Sequence, residues 1–217
     1  MLLLQPFQDL VTTSRRIIIR REDSDIGSRI GGNAPEGVVP PFQNSATRYF
    51  ATIALGDKNA QELSVFVSID WNNQTCHESS NPNNLWNNVS KLKTAACPLV
   101  QFVVHPQKPR SNSKNLASEL GGRALLIEEE ALDVLVEPGG ELLLPSKIGG
   151  RPYYYYGTPS YIESLDQLFE QGFCLLLQYT EGGYERGQPF LSPFCEYTFH
   201  LLAKETPEGI NWRYGWG

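Results

Sequence analysis

Apolar residues along this chain fall in short runs separated by clusters of glycine, proline and polar residues, a pattern that predicts strands rather than long helices. Residues 15–21 set three isoleucines between arginine pairs, as suits a short strand with guarded ends. A loop over 25–43 follows, carrying Gly31-Gly32, Pro35, Gly37 and Pro40-Pro41, a composition that excludes a long helix. Residues 48–55 (RYFATIAL) and 62–69 (ELSVFVSI) are β-branched and aromatic, and the Gly56-Asp57-Lys58-Asn59 turn between them predicts a hairpin. In the second of these strands Leu63, Val65, Val67 and Ile69 alternate with Ser64, Phe66 and Ser68, which predicts one buried face. Further strands are expected at 99–105, 124–127, 134–136, 173–179, 196–203 and 210–216, the last as an aromatic-rich edge. One short helix is expected to open at Asn81-Pro82, with Leu85, Val89 and Leu92 at helical spacing. A second opens with the capping box Ser160-Tyr161-Ile162-Glu163, places Ile162, Leu165, Leu168 and Phe169 on one face, and ends at Gly172.

One local pattern occurs twice. Ser28-Arg29-Ile30-Gly31-Gly32 and Ser146-Lys147-Ile148-Gly149-Gly150 share the order hydroxyl, cation, isoleucine, glycine, glycine. Each follows an apolar run, at 17–19 and 142–144, and precedes a proline-bearing loop and another β-rich run. Two copies are too few for a solenoid. The expected fold is α+β, predominantly antiparallel β, with duplicated β-rich half-domains and one or two short helices. The chain reads as a single compact domain of two related halves, about 1–106 and 116–217, with a polar linker at 107–115. The turns at Gly31, Gly32, Gly149 and Gly150 have two readings. Glycine there permits positive φ where a side chain would clash, or its bare amides cradle an anion. Neither copy matches a P-loop or a GxGxxG fingerprint.

Composition narrows the partners. Hydrophobic content of 41% is that of a globular chain, and 18 Lys+Arg against 24 Asp+Glu leave a net charge of −6. Such a chain repels phosphate backbones, so no nucleic-acid partner is expected, while a basic protein would be attracted. Residues 1–6 carry no basic n-region and no apolar run reaches the roughly 18 residues of a membrane span, so the expectation is a cytoplasmic chain that does not enter a membrane. Cys76, Cys97, Cys174 and Cys195 show no CxxC spacing, so neither a metal nor any other cofactor is expected; Cys174 and Cys195 lie in apolar runs and read as buried free thiols.

The second glycine turn, with Arg151-Pro152 after it, then Tyr153-Tyr154-Tyr155-Tyr156 and Leu175-Leu176-Leu177-Gln178 further on, resembles the YwqG-like family of bacterial proteins. That family is described by a Lys-hydrophobic-Gly-Gly-x-Pro turn, an apolar strand ending in glutamine, and a duplicated β-rich layout. The resemblance covers mainly residues 141–203. The first copy departs from it, since Asn33-Ala34-Pro35 places its proline two positions later and no strand-ending glutamine matches. The family is largely of unknown function, so the resemblance implies a fold more than an activity. Some chains of this kind occur beside secreted bacterial toxins, which implies an immunity role.

Catalytic signals are sparse. His77, His105 and His200 are the only histidines; Cys76-His77 are neighbours in a polar loop, and His105 and His200 sit in expected strands, where a satisfied, half-buried histidine is the common case. No GxSxG elbow or HExxH motif is present, and no catalytic or metal-ligating residue is assigned. The candidate partner-binding residues are the aromatics Tyr153, Tyr154, Tyr155, Tyr156, Trp212 and Trp216, and the acidic residues Glu128, Glu129, Glu130 and Asp133. The expected function is therefore non-enzymatic: an immunity-type inhibitor that occludes the active site of a toxin domain with a basic surface. The competing expectation is a small-molecule or anion-binding module, or a weak hydrolase, using the glycine turns; a structural subunit is a third.

Overall fold

The computed structural model describes residues 13–20, 22–55, 61–68, 100–118, 120–128, 131–132, 146–152, 159–179 and 198–216. The β-branched and aromatic runs form strands: β1 (Thr13–Ile19), β2 (Arg29–Ile30), β3 (Thr47–Ala54), β4 (Gln61–Ser68), β5 (Val100–Pro106), β6 (Arg123–Ile127), β7 (Ala131–Leu132), β8 (Lys147–Gly149), β9 (Cys174–Tyr179), β10 (Phe199–Thr206) and β11 (Gly209–Trp216). A helix, α1 (Pro159–Glu170), precedes β9. The expected helix at Asn81-Pro82 and the expected strand at 134–136 lie outside the described residues.

The strands form one antiparallel sheet in the order β11-β10-β9-β8-β1-β6-β2-β3-β4-β5, with β7 added beside β1. Two runs of consecutive strands, β2 to β5 and β8 to β11, therefore flank the central pair β1 and β6. That pair is crossed over: β1 joins β8, and β6 joins β2.

The sheet curls into a half-barrel, and its two ends meet through side chains. Phe102 of β5 stacks on Trp212 of β11 at 5.4 Å and 28°, and meets Tyr214 edge-on at 5.8 Å. Inside the curl lies the main core, with Ile17, Ile30, Phe50, Leu63, Leu177 and Leu201 buried among residues from nearly every strand. Each such side chain contributes about 1.5–3 kcal/mol relative to exposure. Register shifts sharpen the bend. Around Phe50 the pairing of β3 with β4 skips a residue, so that Phe50 and Ala51 both enter the core while Tyr49 points to the other face.

The outer face is covered as well, which corrects the expectation of a half-buried β4. Every described position of β4 after Gln61 is buried. Phe66 and Tyr49 pack there with Ala34, Val38, Val103 and Leu116. The cover comes from residues 33–38, held by the segment expected to be a linker, and from Leu116 just beyond that segment. That segment is tied down: Ser111 N–H donates to Ala34 O and Glu36 N–H to Pro109 O, both at 2.8 Å, and Arg110 pairs with Asp23 and with Asp25, the latter at 2.9 Å. At the other end of the sheet α1 covers β9 and β10, burying Leu165 with Phe173 and Leu202.

Helix α1 starts at Pro159, so Ser160 lies within the first turn instead of preceding it; proline suits the first helical position because its missing N–H needs no partner there. The helix ends as expected. Gly172 (φ +84) donates to Phe169 O at 2.8 Å and Phe173 to Leu168 O at 3.0 Å, a Schellman closure with Phe173 packed back on Leu168.

Gly31 adopts φ +70, and a Cβ there would strike the backbone oxygens of Gly121 and Leu120. Gly27 has φ +86 but open space around it. Gly31→Ala should therefore cost about 3 kcal/mol or more, strain plus clash, whereas Gly27→Ala should cost about 1 kcal/mol, strain alone. Chemical denaturation of both variants checks this; equal losses would contradict the close-approach account.

Candidate functional site

Both cations of the repeated turns are buried, Arg29 completely and Lys147 with 2% exposure. Strand register places each opposite a polar residue of the next strand. Arg29 faces Thr52, which faces Ser64; Lys147 faces Gln178, which faces His200. All six are buried. The Gln178 position, singled out in sequence as the end of an apolar strand, thus stands against the lysine of the turn.

The first of these rows is a directed hydrogen-bond chain. His105 Nδ1 lies 2.7 Å from Pro106 O, and a carbonyl only accepts, so Nδ1 carries the proton. Neutral Nε2 then accepts from the Ser64 hydroxyl at 2.8 Å. Ser64 accepts in turn from Thr52 at 2.8 Å, and Thr52 from Tyr49 at 2.8 Å. Around the chain stand Arg29, which donates to Gly27 O at 3.1 Å, and Glu62, whose carboxylate is 3.9 Å from His105 Nδ1. Arg29 Nε and Nη2 and Glu62 Oε1 have no hydrogen-bond partner among the described residues. Burial is the main cause that pushes the His105 pKa down and the Tyr49 pKa up, favouring the neutral form of both.

Serine, histidine and carboxylate are the ingredients of a nucleophile and its base, but this arrangement lacks the geometry for catalysis. Ser64 is fully buried, and His105 Nδ1 is turned to a backbone carbonyl instead of Glu62. The row pins β3, β4 and β5 together. Its constituents were visible in sequence as polar positions on the Phe66 side of β4, but their partners lie on other strands. Protonating His105 would put a hydrogen on Nε2 and reverse the chain, which leaves the Tyr49 hydroxyl beside the donor-only Arg29.

The turn amides are also committed. Gly31 N–H donates to Phe50 O at 2.8 Å and Gly32 N–H to Leu120 O at 2.9 Å, so neither is turned outward toward an anion. Gly149 and Gly150 share the positive φ, at +78 and +70. Beside this second turn a cleft of about 750 Å³ opens between α1 and β10, lined by Arg151, Asp166, Glu170, Phe173, Cys174 and Lys204 among others. Cys174, expected to be buried, is half-buried there, and burial raises its pKa.

Of the residues expected to bind a partner, Trp212 lies with its ring face on Phe102, and Glu128 is exposed with its amide donating to Arg16 O at 3.0 Å. Trp216 pairs with Phe199 through the backbone of β11. Tyr153, Tyr154, Tyr155, Tyr156, Glu129, Glu130 and Asp133 lie outside the described residues. Sequence reasoning missed a different aromatic. Phe42 is 52% exposed, while its backbone N–H and C=O are both held by the amide of buried Gln101, at 2.9 and 2.8 Å. Val39 is exposed on the same loop, and Ile26 on the loop that precedes β2.

No group of three metal-binding side chains occurs among the described residues, and no helix among them is long and apolar enough to cross a membrane. No protein-family model, no curated protein and no solved structure matches the chain.

The pH dependence follows from His105. Its folded pKa lies below the ordinary 6.5, so the unfolded chain binds the proton first and stability is lost as pH falls below that value. Urea titrations at pH 5 and pH 8 should show lower stability in acid, and His105→Gln should reduce the difference. A difference unchanged by His105→Gln would refute the neutral-histidine chain. Ser64→Ala should cost about 1–3 kcal/mol at either pH, since it removes a donor and an acceptor from buried partners.

Proposed function

We propose that this chain is a protein-binding protein without chemistry of its own, in its most concrete form an immunity-type inhibitor that covers the active site of a bacterial toxin. The observation that carries this reading is the display of Phe42. An exposed aromatic ring normally sits on a mobile loop, but here the backbone beneath it is fixed on both sides by a glutamine that is 5% exposed. A ring presented on ordered backbone loses little freedom on binding, and aromatic anchors of this kind dominate interface energies. Pro41 beside it is exposed as well, while Pro40 is buried and anchors the segment. The two described histidines, His105 and His200, are by contrast buried. Net charge of −6 favours a basic partner.

The same proposal includes the kinship of the two halves and the resemblance to the YwqG-like family. Its support is the arrangement of β2 to β5 and β8 to β11 about the crossed pair β1 and β6, each run starting at a buried cation and two positive-φ glycines. An immunity role implies the cytoplasm, where such a protein meets its toxin.

The test is co-expression with the protein encoded beside it. Rescue of growth and a stoichiometric complex are expected, with an association rate that falls steeply as salt is added. Phe42→Ala should weaken the complex by about 2 kcal/mol or more, roughly thirtyfold in Kd, without altering the fold. A complex indifferent to Phe42→Ala would show that this loop is not the binding surface, and no complex at all would remove the inhibitor reading.

A further inference from the structure

We infer that a buried water molecule bridges the Arg29 guanidinium to the Glu62 carboxylate, so that the first Ser-Arg-Ile-Gly-Gly turn is completed by hydration and not by an anion. Arg29 is fully buried and Glu62 is 1% exposed. Arg29 Nε and Nη2 and Glu62 Oε1 have no hydrogen-bond partner among the described residues. Burying a charged group without partners is far more costly than burying a neutral one, so the folded state has to supply a partner for each.

The two side chains share a face of the sheet but not a strand pair. Arg29 on β2 faces Thr52 of β3, and Glu62 on β4 faces Ala54, two residues further along the same strand. Two strand spacings of about 4.8 Å therefore separate their backbones. Each is already tethered through one atom. Arg29 Nη1 donates to Gly27 O at 3.1 Å, and Glu62 Oε2 accepts from Lys108 N–H at 3.4 Å with His105 Nδ1 at 3.9 Å. Both nevertheless act electrostatically on the Tyr49 hydroxyl and on the His105 ring, so the four polar heads occupy one neighbourhood. Charge selects what stands between them. An anion suits Arg29 and is repelled by Glu62, and a cation suits Glu62 and is repelled by Arg29. A neutral molecule that both accepts and donates serves the two at once. Water can accept from the Arg29 fork and donate to Glu62 Oε1, with its second hydrogen left for the Tyr49 oxygen, whose own hydrogen goes to Thr52. Buried waters make about three bonds of this kind.

The inference stands apart from the protein-binding reading, since no partner enters its test. The experiment is a high-resolution crystal structure of the full chain, grown with bromide in place of chloride so that a halide would give an anomalous signal. The expected result is a density peak without that signal, within about 3.2 Å of an Arg29 nitrogen and of Glu62 Oε1. Direct contact between Arg29 and Glu62, no peak touching both, or an anomalous peak beside Arg29 overturns the inference. A solution measurement checks it independently. Oxygen-17 relaxation dispersion of the solvent counts long-lived internal waters, and the double variant R29M/E62L should lose at least one relative to the unsubstituted chain. Removing both charges together avoids leaving a lone buried ion, which either single substitution would do. An unchanged count in the folded double variant overturns the bridge. If that variant does not fold, the crystal structure of the unsubstituted chain still decides.

Discussion

A ten-strand path of antiparallel strands has an apolar face too wide to leave in water, and no second sheet covers it among the described residues. This chain solves the problem by bending the sheet until its first and last strands in space, β11 and β5, face each other. The contact that closes the curl is aromatic: Phe102 lies on Trp212, with Tyr214 beside it. Everything inside depends on that closure, because Ile17, Ile30, Phe50 and Leu201 are buried only while the two ends remain together. The register shift at Phe50 serves the same bend by turning two consecutive side chains inward.

Once the inner face is closed, the outer face becomes the place where the two ends of the sheet differ. Helix α1 covers one end, and an irregular loop stapled by residues 107–118 covers the other. Beneath the loop lies the hydrogen-bonded row from Tyr49 to His105, in which the Thr52 and Ser64 hydroxyls each give and receive one hydrogen bond. Gln101, on β5 beside the row, grips the backbone of Phe42 and leaves the ring in solvent. A polar interior thus holds an apolar side chain outside.

Much of the architecture was legible in the chain. β-branched and aromatic runs marked β3 and β4, an apolar run marked β9, Gly172 marked the end of α1, and the two Ile-Gly-Gly turns marked the ends of β2 and β8 with positive φ at each glycine. What could not be read were pairings between distant segments. Ser64 and Phe66 looked solvent-facing because their cover, Ala34, Val38 and Leu116, comes from loops with no periodicity. The segment at 107–115 has the composition of a linker, yet its backbone is bonded to Ala34, Glu36 and Asp25. Trp212 looked like an exposed edge aromatic because nothing local shows that β11 curls onto β5. Phe42 passed unnoticed for the same reason, since its anchor Gln101 lies on another strand.

The most direct test of this account is a double-mutant cycle on Phe102→Ala and Trp212→Ala, measured by chemical denaturation. If the aromatic contact closes the curl, the double variant should be less destabilised than the sum of the single variants, with a coupling of about 1 kcal/mol. Strictly additive losses would mean that the two rings do not meet in solution, and the closed half-barrel on which the rest depends would have to be abandoned.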